Sequence, residues 1–260
     1  KNNLKIKKIL RKVIDSYLNN NNQILLSLSK KYKYSFNFKK ISKYKKFKDY
    51  RIFGMGGSSL GTEAIYFFFN KKIKKNFKFV NNINLSNNKK FQNKSFNIII
   101  SKSGQTLETL TNLNSEKVKN ECLFITENRE SYLRTLALKL KSEVVDHNNF
   151  IGGRYSVLSE TGMIPAFFMG LDPYKFKTLD SLISSKKFIN YLTYNVSSIL
   201  SFHQNKKNNS IILNYDESSN SLFYWYQQLV AESLGKKGKV IILVICYMPN
   251  GNHSLRHLYV

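Results

Sequence analysis

Asp49-Tyr-Arg-Ile-Phe-Gly-Met-Gly-Gly-Ser-Ser-Leu-Gly61 is the stretch on which the reading of the fold turns. Asp49–Phe53 has strand character, Gly54–Gly61 is a glycine and serine loop, and Thr62–Phe69 carries helical spacing. A strand that passes through a tight glycine turn into a helix is the first half of a βαβ unit. Working outward, the same alternation recurs. Phe79–Leu85, Asn97–Ile100 and Cys122–Thr126 read as buried strands, and Thr106–Lys119 and Ser131–Leu140 as helices. Strands alternating with helices at this pitch predict an α/β fold with a parallel sheet.

Further along, Asn148–Ser159 is a loop with a glycine pair, Thr161–Gly170 is an apolar helix, and the Ser/Lys-rich stretch 172–209 holds more helix. Ser210–Asn214 and Val240–Cys246 read as strands around a Leu222–Leu234 helix. Ahead of the sheet, Leu4, Ile6, Ile9, Leu10, Val13, Ile14 and Leu18 keep the period of an amphipathic helix within a polar segment, 1–46.

The 260 residues include 42 Lys and Arg against 16 Asp and Glu, a formal net charge of +26. Such a charge suggests nucleic-acid binding, because Lys and Arg neutralise phosphates. The basic residues are mostly Lys, however, and are spread along the whole chain among abundant Asn and Ile, an enrichment that accompanies coding sequence rich in A and T. No Arg-rich arm, zinc knuckle or paired-aromatic motif stands beside the basic runs. No specific nucleic-acid partner is expected, and the positive surface is suited to drawing in an anionic substrate. A hydrophobic content of 42% supplies a core and excludes global disorder. Cys122 and Cys246 lie in apolar runs and read as buried thiols of a reducing compartment, which makes the cytoplasm the expected location. No apolar run approaches the roughly 18 residues of a membrane span.

Five constellations could carry chemistry. Gly54–Gly61 brings backbone N–H groups close to an anion, yet it lacks the Lys of a P-loop and the third Gly of a dinucleotide fingerprint, and an ordinary glycine connector has the same composition. Ser101-Lys-Ser-Gly-Gln-Thr-Leu-Glu-Thr109 follows a buried strand and opens a helix. Its hydroxyls and the helix N-terminus suit a phosphate, and Ser103 could equally cap the helix. Arg154 in Gly152-Gly-Arg-Tyr-Ser156 is placed either to hold an oxyanion or to make a surface ion pair. Gln228 and Glu232 are four apart in Trp225–Lys236 and share one helix face, where Glu232 can act as a general base or stand as an exposed carboxylate. His253, after the Pro-Asn-Gly turn, could shuttle protons or be a solvent-exposed loop His; His257 is a weaker candidate. His147 and His203 stand isolated, and no cluster has the spacing of a zinc site.

Taken in chain order, these pieces resemble the glucose-6-phosphate isomerase family. The resemblance rests on Gly54–Gly61, Ser101–Thr109, Gly152–Ser156 with Ser159–Pro165 after it, Trp225–Lys236 and His253-Ser254, and it covers about residues 48–260. It implies a three-layer α/β/α sandwich around a parallel sheet, the sugar-isomerase (SIS) fold, in two subdomains. Residues 1–46 would be an N-terminal helical segment, 47–175 the first subdomain and 176–260 an incomplete second one. The implied activity is interconversion of glucose 6-phosphate and fructose 6-phosphate through a cis-enediol, with neither metal nor cofactor. Gly57, Ser58, Ser101, Lys102, Ser103, Gly104, Gln105 and Thr106 would hold the sugar and its phosphate, and Gln228 would contact the substrate. Glu232 would be the base, Arg154 would stabilise the intermediate, and His253 would open the sugar ring. The resemblance further implies a homodimer with a shared active site, no membrane association, and a C-terminal helical region beyond Val260 carrying a lysine used at ring opening. Arg256 and His257 depart from the family's usual run after His-Ser. The alternative is a sugar-phosphate-binding module of the same fold without catalysis.

Overall fold

The computed structural model describes residues 2–83, 95–116, 118, 121–235 and 241–249. Helices α1 (Asn2–Leu18), α2 (Gln23–Leu26) and α3 (Phe38–Ile41) precede strand β1 (Asp49–Phe53). Then come α4 (Leu60–Phe68), β2 (Asn76–Val80), β3 (Phe96–Ile100), α5 (Leu107–Ser115), β4 (Cys122–Thr126), α6 (Tyr132–Lys139), β5 (Glu143–Asp146) and α7 (Glu160–Phe168). The last part holds α8 (Leu179–Ser184), α9 (Lys186–Gln204), β6 (Asn209–Asn214), α10 (Asn220–Leu234) and β7 (Ile242–Tyr247). The chain divides into two compact units: 33–173 with 216–228, and the described parts of 1–32, 174–215 and 229–260. The segment 1–46 is thus shared between them.

The unit built on 33–173 carries a five-stranded sheet of order β2-β1-β3-β4-β5, parallel throughout. Register places Val80, Phe53, Ile99, Phe124 and Val144 in one row across all five strands. That row packs under Leu110 and Leu113 of α5 and Leu133, Ala137 and Leu136 of α6. The opposite face is aromatic. Tyr50 stacks on Phe77 with centroids 4.7 Å apart, and Phe168 of α7 lies 5.4 Å from Tyr50 and 5.8 Å from Phe96. Tyr66 of α4 covers Phe77 and Phe79 at 5.4 and 5.8 Å. Helices α5 and α6 therefore form one layer, α4 and α7 the other, and the expected three-layer sandwich is present. Phe124 is fully buried in this row, between Ile99 and Val144. Phe124→Ala is expected to lower the unfolding free energy by roughly 3–5 kcal/mol, read from the urea midpoint.

Helix α7 is buried almost throughout although it contains Pro165. Proline has no N–H for the carbonyl four residues back, which here is that of Thr161. The hydroxyl of Thr62 in α4 donates to the Thr161 oxygen at 3.3 Å instead, so the proline's missing bond becomes a tie between two helices.

Two strands differ from the sequence expectation. β2 spans Asn76–Val80 rather than beginning at Phe79 and running past Val80, and contains Lys78, and β5, Glu-Val-Val-Asp, lies where no strand is expected from the sequence. Both are sheet edges, where one side of the strand lacks a partner and polar residues are tolerated, so neither carries the continuous apolar run of a central strand.

The other unit joins α1 to α9. Asp180 accepts hydrogen bonds from the Tyr17 hydroxyl and, at 2.9 Å, from Ser29 Oγ. The buried Lys177 ammonium donates to the Ser27 carbonyl and sits 4.7 Å from the Tyr32 ring centre. Strands β6 and β7 pair in parallel from Asn209↔Ile242 to Asn214↔Tyr247.

Candidate active site

The order β2-β1-β3 makes the junction of β1 and β3 a switch point, because the chain leaves β1 for α4 on one face and β3 for α5 on the other. In open α/β sheets ligands bind beyond the carboxyl ends of the strands at such a point. Both hydroxyl-rich loops emerge there, Gly54–Gly61 from β1 and Ser101–Thr106 from β3. They are adjacent: a Cβ on Gly54 would lie 3.3 Å from the Ile100 carbonyl oxygen.

The β3 loop is held from inside. Ser101 is buried; its Oγ lies 2.8 Å from Thr106 Oγ1 and accepts from the Gly104 N–H at 3.1 Å. Gly104 has φ +67°, and a Cβ there would meet Ser131 Oγ at 2.3 Å, so both the turn and the packing require glycine. Ser103 does not cap α5. Its Oγ accepts from the Gln105 N–H at 3.2 Å, while the N-cap is Thr106, whose side chain makes no capping bond. Helix α5 therefore turns uncapped N–H groups and its positive end toward half-buried Ser103 and Thr106, with Gln105 exposed beside them. Lys102 is directed elsewhere: its Nζ donates to the Asn149 carbonyl at 2.9 Å and lies 3.4 Å from Glu127 Oε1.

The β1 loop touches the arginine segment. A Cβ on Gly57 would lie 2.3 Å from the Gly153 carbonyl carbon and 2.4 Å from the Arg154 nitrogen, so the two backbones meet only because residue 57 has no side chain. Ser156 Oγ donates to the Gly153 carbonyl at 2.7 Å and reaches the Gly57 carbonyl at 3.4 Å. The Arg154 guanidinium lies 4.6 Å from the Tyr155 ring centre, and the Arg154 carbonyl accepts from Trp225 Nε1 of α10 at 3.3 Å. Gln228, one turn on, puts Nε2 2.8 Å from where a Gly56 Cβ would be. Ser58 is half-buried in the same loop. Gly57, Ser58, Arg154, Gln228 and the β3 loop thus belong to one body. Glu232 is exposed, four residues beyond Gln228 on α10, among residues grouped with the other unit. His253 and His257 lie outside the described residues.

His147 carried no sequence signal, flanked as it is by Asp146 and two asparagines. It is 3% exposed; its N–H donates to the Thr126 carbonyl at 2.8 Å and its Nδ1 lies 2.9 Å from the Asn148 carbonyl. Burial, with a lesser push from Lys102, holds its pKa below the ordinary 6.5 despite the raising effects of Asn148 and Glu127. A folded pKa below the unfolded one means that this contribution to stability is complete above pH 6.5 and is lost as pH falls below it. Burial raises the Glu63 carboxyl, which acts in the opposite sense as pH rises. The urea midpoint is therefore expected to drop less between pH 7.5 and 5.5 in His147→Gln than in the wild type.

Among the described residues no group of three or more His, Cys, Asp or Glu could hold a metal ion, and no helix is long and apolar enough to cross a membrane. The sequence profile of the phosphoglucose isomerase family matches residues 23–242. The chain belongs to the phosphoglucose isomerase family. Within it, the chain is 33% identical over 240 residues to glucose-6-phosphate isomerase of Methanocaldococcus jannaschii, covering 84% of this chain and 59% of that protein. It is 32% identical over 210 residues to the Campylobacter jejuni glucose-6-phosphate isomerase, covering 72% of this chain and 50% of that protein. The chain of this phosphoglucose isomerase family member therefore matches only between half and three fifths of those relatives' length. Among solved structures, a hypothetical protein from Thermus thermophilus superposes with TM-score 0.67 at 22% identity over 85% of this chain and 59% of that one. Tagatose-6-phosphate ketose/aldose isomerase from Escherichia coli gives TM-score 0.54 at 16% identity over 81% of this chain and 59% of that one. These likenesses show the sugar-isomerase fold.

Proposed function

We propose that this chain carries the catalytic apparatus that interconverts glucose 6-phosphate and fructose 6-phosphate. The observation that carries the reading is the convergence, at one switch point, of two hydroxyl- and glycine-rich loops with the backbone of Arg154 seated on Gly57. Hydroxyls of Ser101, Ser103 and Thr106 and the N–H groups that open α5 hold the phosphate; Gly57, Ser58, Lys102, Gly104 and Gln105 shape that loop pair, and Gln228 contacts the sugar. His253 assists ring opening. The Glu232 carboxylate then takes the C2 proton of the open aldose while the C1 carbonyl oxygen gains a proton, giving the cis-enediol. Return of a proton to C1 and loss of the C2 hydroxyl proton yields the ketose. Two electrons pass from C2 to C1 within the sugar, so no outside oxidant is needed. Arg154 offsets the negative charge that develops on the enediol oxygens.

In the same proposal the whole protein comprises 47–175 as a first sugar-isomerase subdomain, 176–260 as part of a second and 1–46 as a helical lead-in, and is a cytoplasmic homodimer that shares its active sites. The glucose-6-phosphate isomerases of Methanocaldococcus jannaschii and Campylobacter jejuni support glucose 6-phosphate as substrate, and the phosphate-type loops suit it. The experiment is conversion of fructose 6-phosphate in deuterated water followed by NMR. Glucose 6-phosphate that acquires some solvent deuterium at C2 is expected, because the proton carried by Glu232 can exchange with solvent between abstraction and return; no conversion to glucose 6-phosphate would overturn the proposal. Thr106→Val removes one phosphate hydroxyl and the partner of Ser101. The KM for fructose 6-phosphate is expected to rise about tenfold with kcat little changed, since the bond is made equally in ground and transition states.

A further inference from the structure

Resting on that reading of the β3 loop as the phosphate cradle, we infer that Glu127 is a positioning residue of the site, which fixes the loop by gripping Lys102. Glu127 follows β4 and is 8% exposed. It meets Lys102 twice. Its N–H donates to the Lys102 carbonyl at 3.1 Å, and its Oε1 lies 3.4 Å from the Lys102 ammonium. The same carbonyl takes a second bond from Thr126 Oγ1 at 3.3 Å, and the ammonium donates to the Asn149 carbonyl at 2.9 Å. The other carboxylate oxygen of Glu127 is held by Arg129 Nε at 3.0 Å, and the Glu127 carbonyl accepts from Arg134 Nε of α6 at 2.8 Å. The carboxylate is therefore engaged by one arginine, itself largely exposed, and its backbone by another, and it presents a partnered acceptor to the loop.

The consequence concerns how the cradle binds its anion. A flexible lysine in a phosphate loop would ordinarily be read as a direct ligand through its charge. Here the ammonium is engaged by a carboxylate and a carbonyl, so Lys102 serves the site through its backbone. What remains for the phosphate is the set of neutral donors on Ser103, on whichever of Ser101 and Thr106 does not donate to the other, and at the start of α5, and these work only while 101–106 keeps its shape. The pair is partly exposed, with side-chain exposures of 30% for Lys102 and 10% for Glu127, so a moderate effect is expected rather than the collapse that follows loss of a buried ion pair.

The test is a double-mutant cycle on the full chain with Glu127→Gln, Lys102→Met and the pair, measuring KM and kcat for fructose 6-phosphate and the dissociation constant of inorganic phosphate. Each single variant is expected to raise KM and weaken phosphate binding roughly fivefold to tenfold with kcat nearly unchanged. The double variant is expected to be no worse than either single, because both break one link. Glu127→Asp, which keeps the charge, should recover part of the loss. Multiplied effects in the double variant, or a Lys102→Met loss that Glu127→Gln does not share, would overturn the inference by making Lys102 a direct ligand. Unchanged KM in Glu127→Gln would overturn it too. A wild type that neither binds phosphate nor turns over the sugar would instead reject the reading of the cradle itself.

Discussion

Glu232→Gln is expected to cut conversion of fructose 6-phosphate by about 10²–10⁴-fold while the dissociation constants of sugar phosphate and inorganic phosphate stay within about twofold of the wild type. The amide keeps the size and hydrogen-bonding length of the carboxylate and removes its basicity, so only the proton transfer is affected. Binding survives because the phosphate ligands proposed here, on Ser101, Ser103 and Thr106, lie on a loop held by Gly104, Thr126 and Ser131, none of which depends on α10. Turnover is followed by coupled assay and binding by calorimetry on the same preparation. Retained turnover would remove Glu232 from the role of base. Loss of binding together with turnover would show that Glu232 supports the site's structure instead.

The second large effect concerns Gly57→Ala. The added methyl would stand 2.3 Å from the Gly153 carbonyl carbon and 2.6 Å from its oxygen, distances that only a backbone shift can relieve. The shift separates the β1 loop from the arginine segment and moves Arg154. Overpacking of this kind costs roughly 1–3 kcal/mol, and a displacement near 1 Å at a catalytic group can cost about 10²-fold in rate. A fall of several degrees in Tm with a kcat/KM reduced at least about 10²-fold is therefore expected. Gly152→Ala is the matched control: its Cβ would make only an ordinary 3.7 Å contact with Tyr155, and near wild-type stability and activity are expected. Equal effects of the two substitutions would show that the close approach at Gly57 does not organise the site.

The central sheet was legible because its inner strands are buried on both faces. β1 and β4 fall at their expected ends, and β3 begins one residue early, since Ile52-Phe53, Ile98–Ile100 and Cys122–Ile125 leave short apolar runs. The edge strands β2 and β5 were not legible to the same degree, because Lys78 and the acidic ends of Glu-Val-Val-Asp are compatible with an edge and look like loop. The amphipathic spacing of α1 announces a face to be buried without naming its partner, α9, which lies far along the chain. At the site, the loops were visible from glycine and hydroxyl composition and from the family resemblance. What fixes them was not visible. Glu127 and Ser131 act through distances that only folding creates, and the direction of the Lys102 side chain, toward Glu127 and Asn149, follows from those neighbours rather than from its motif.

The most direct measurement is the coupled assay for conversion of fructose 6-phosphate to glucose 6-phosphate by this chain, with inorganic phosphate and sugar-phosphate binding measured in parallel. Sustained conversion by the wild type, absent in Glu232→Gln, is the expected result and establishes the isomerase in the chain itself. Sugar-phosphate binding without any conversion at high enzyme concentration would contradict it and would make this chain a binding module of the same fold.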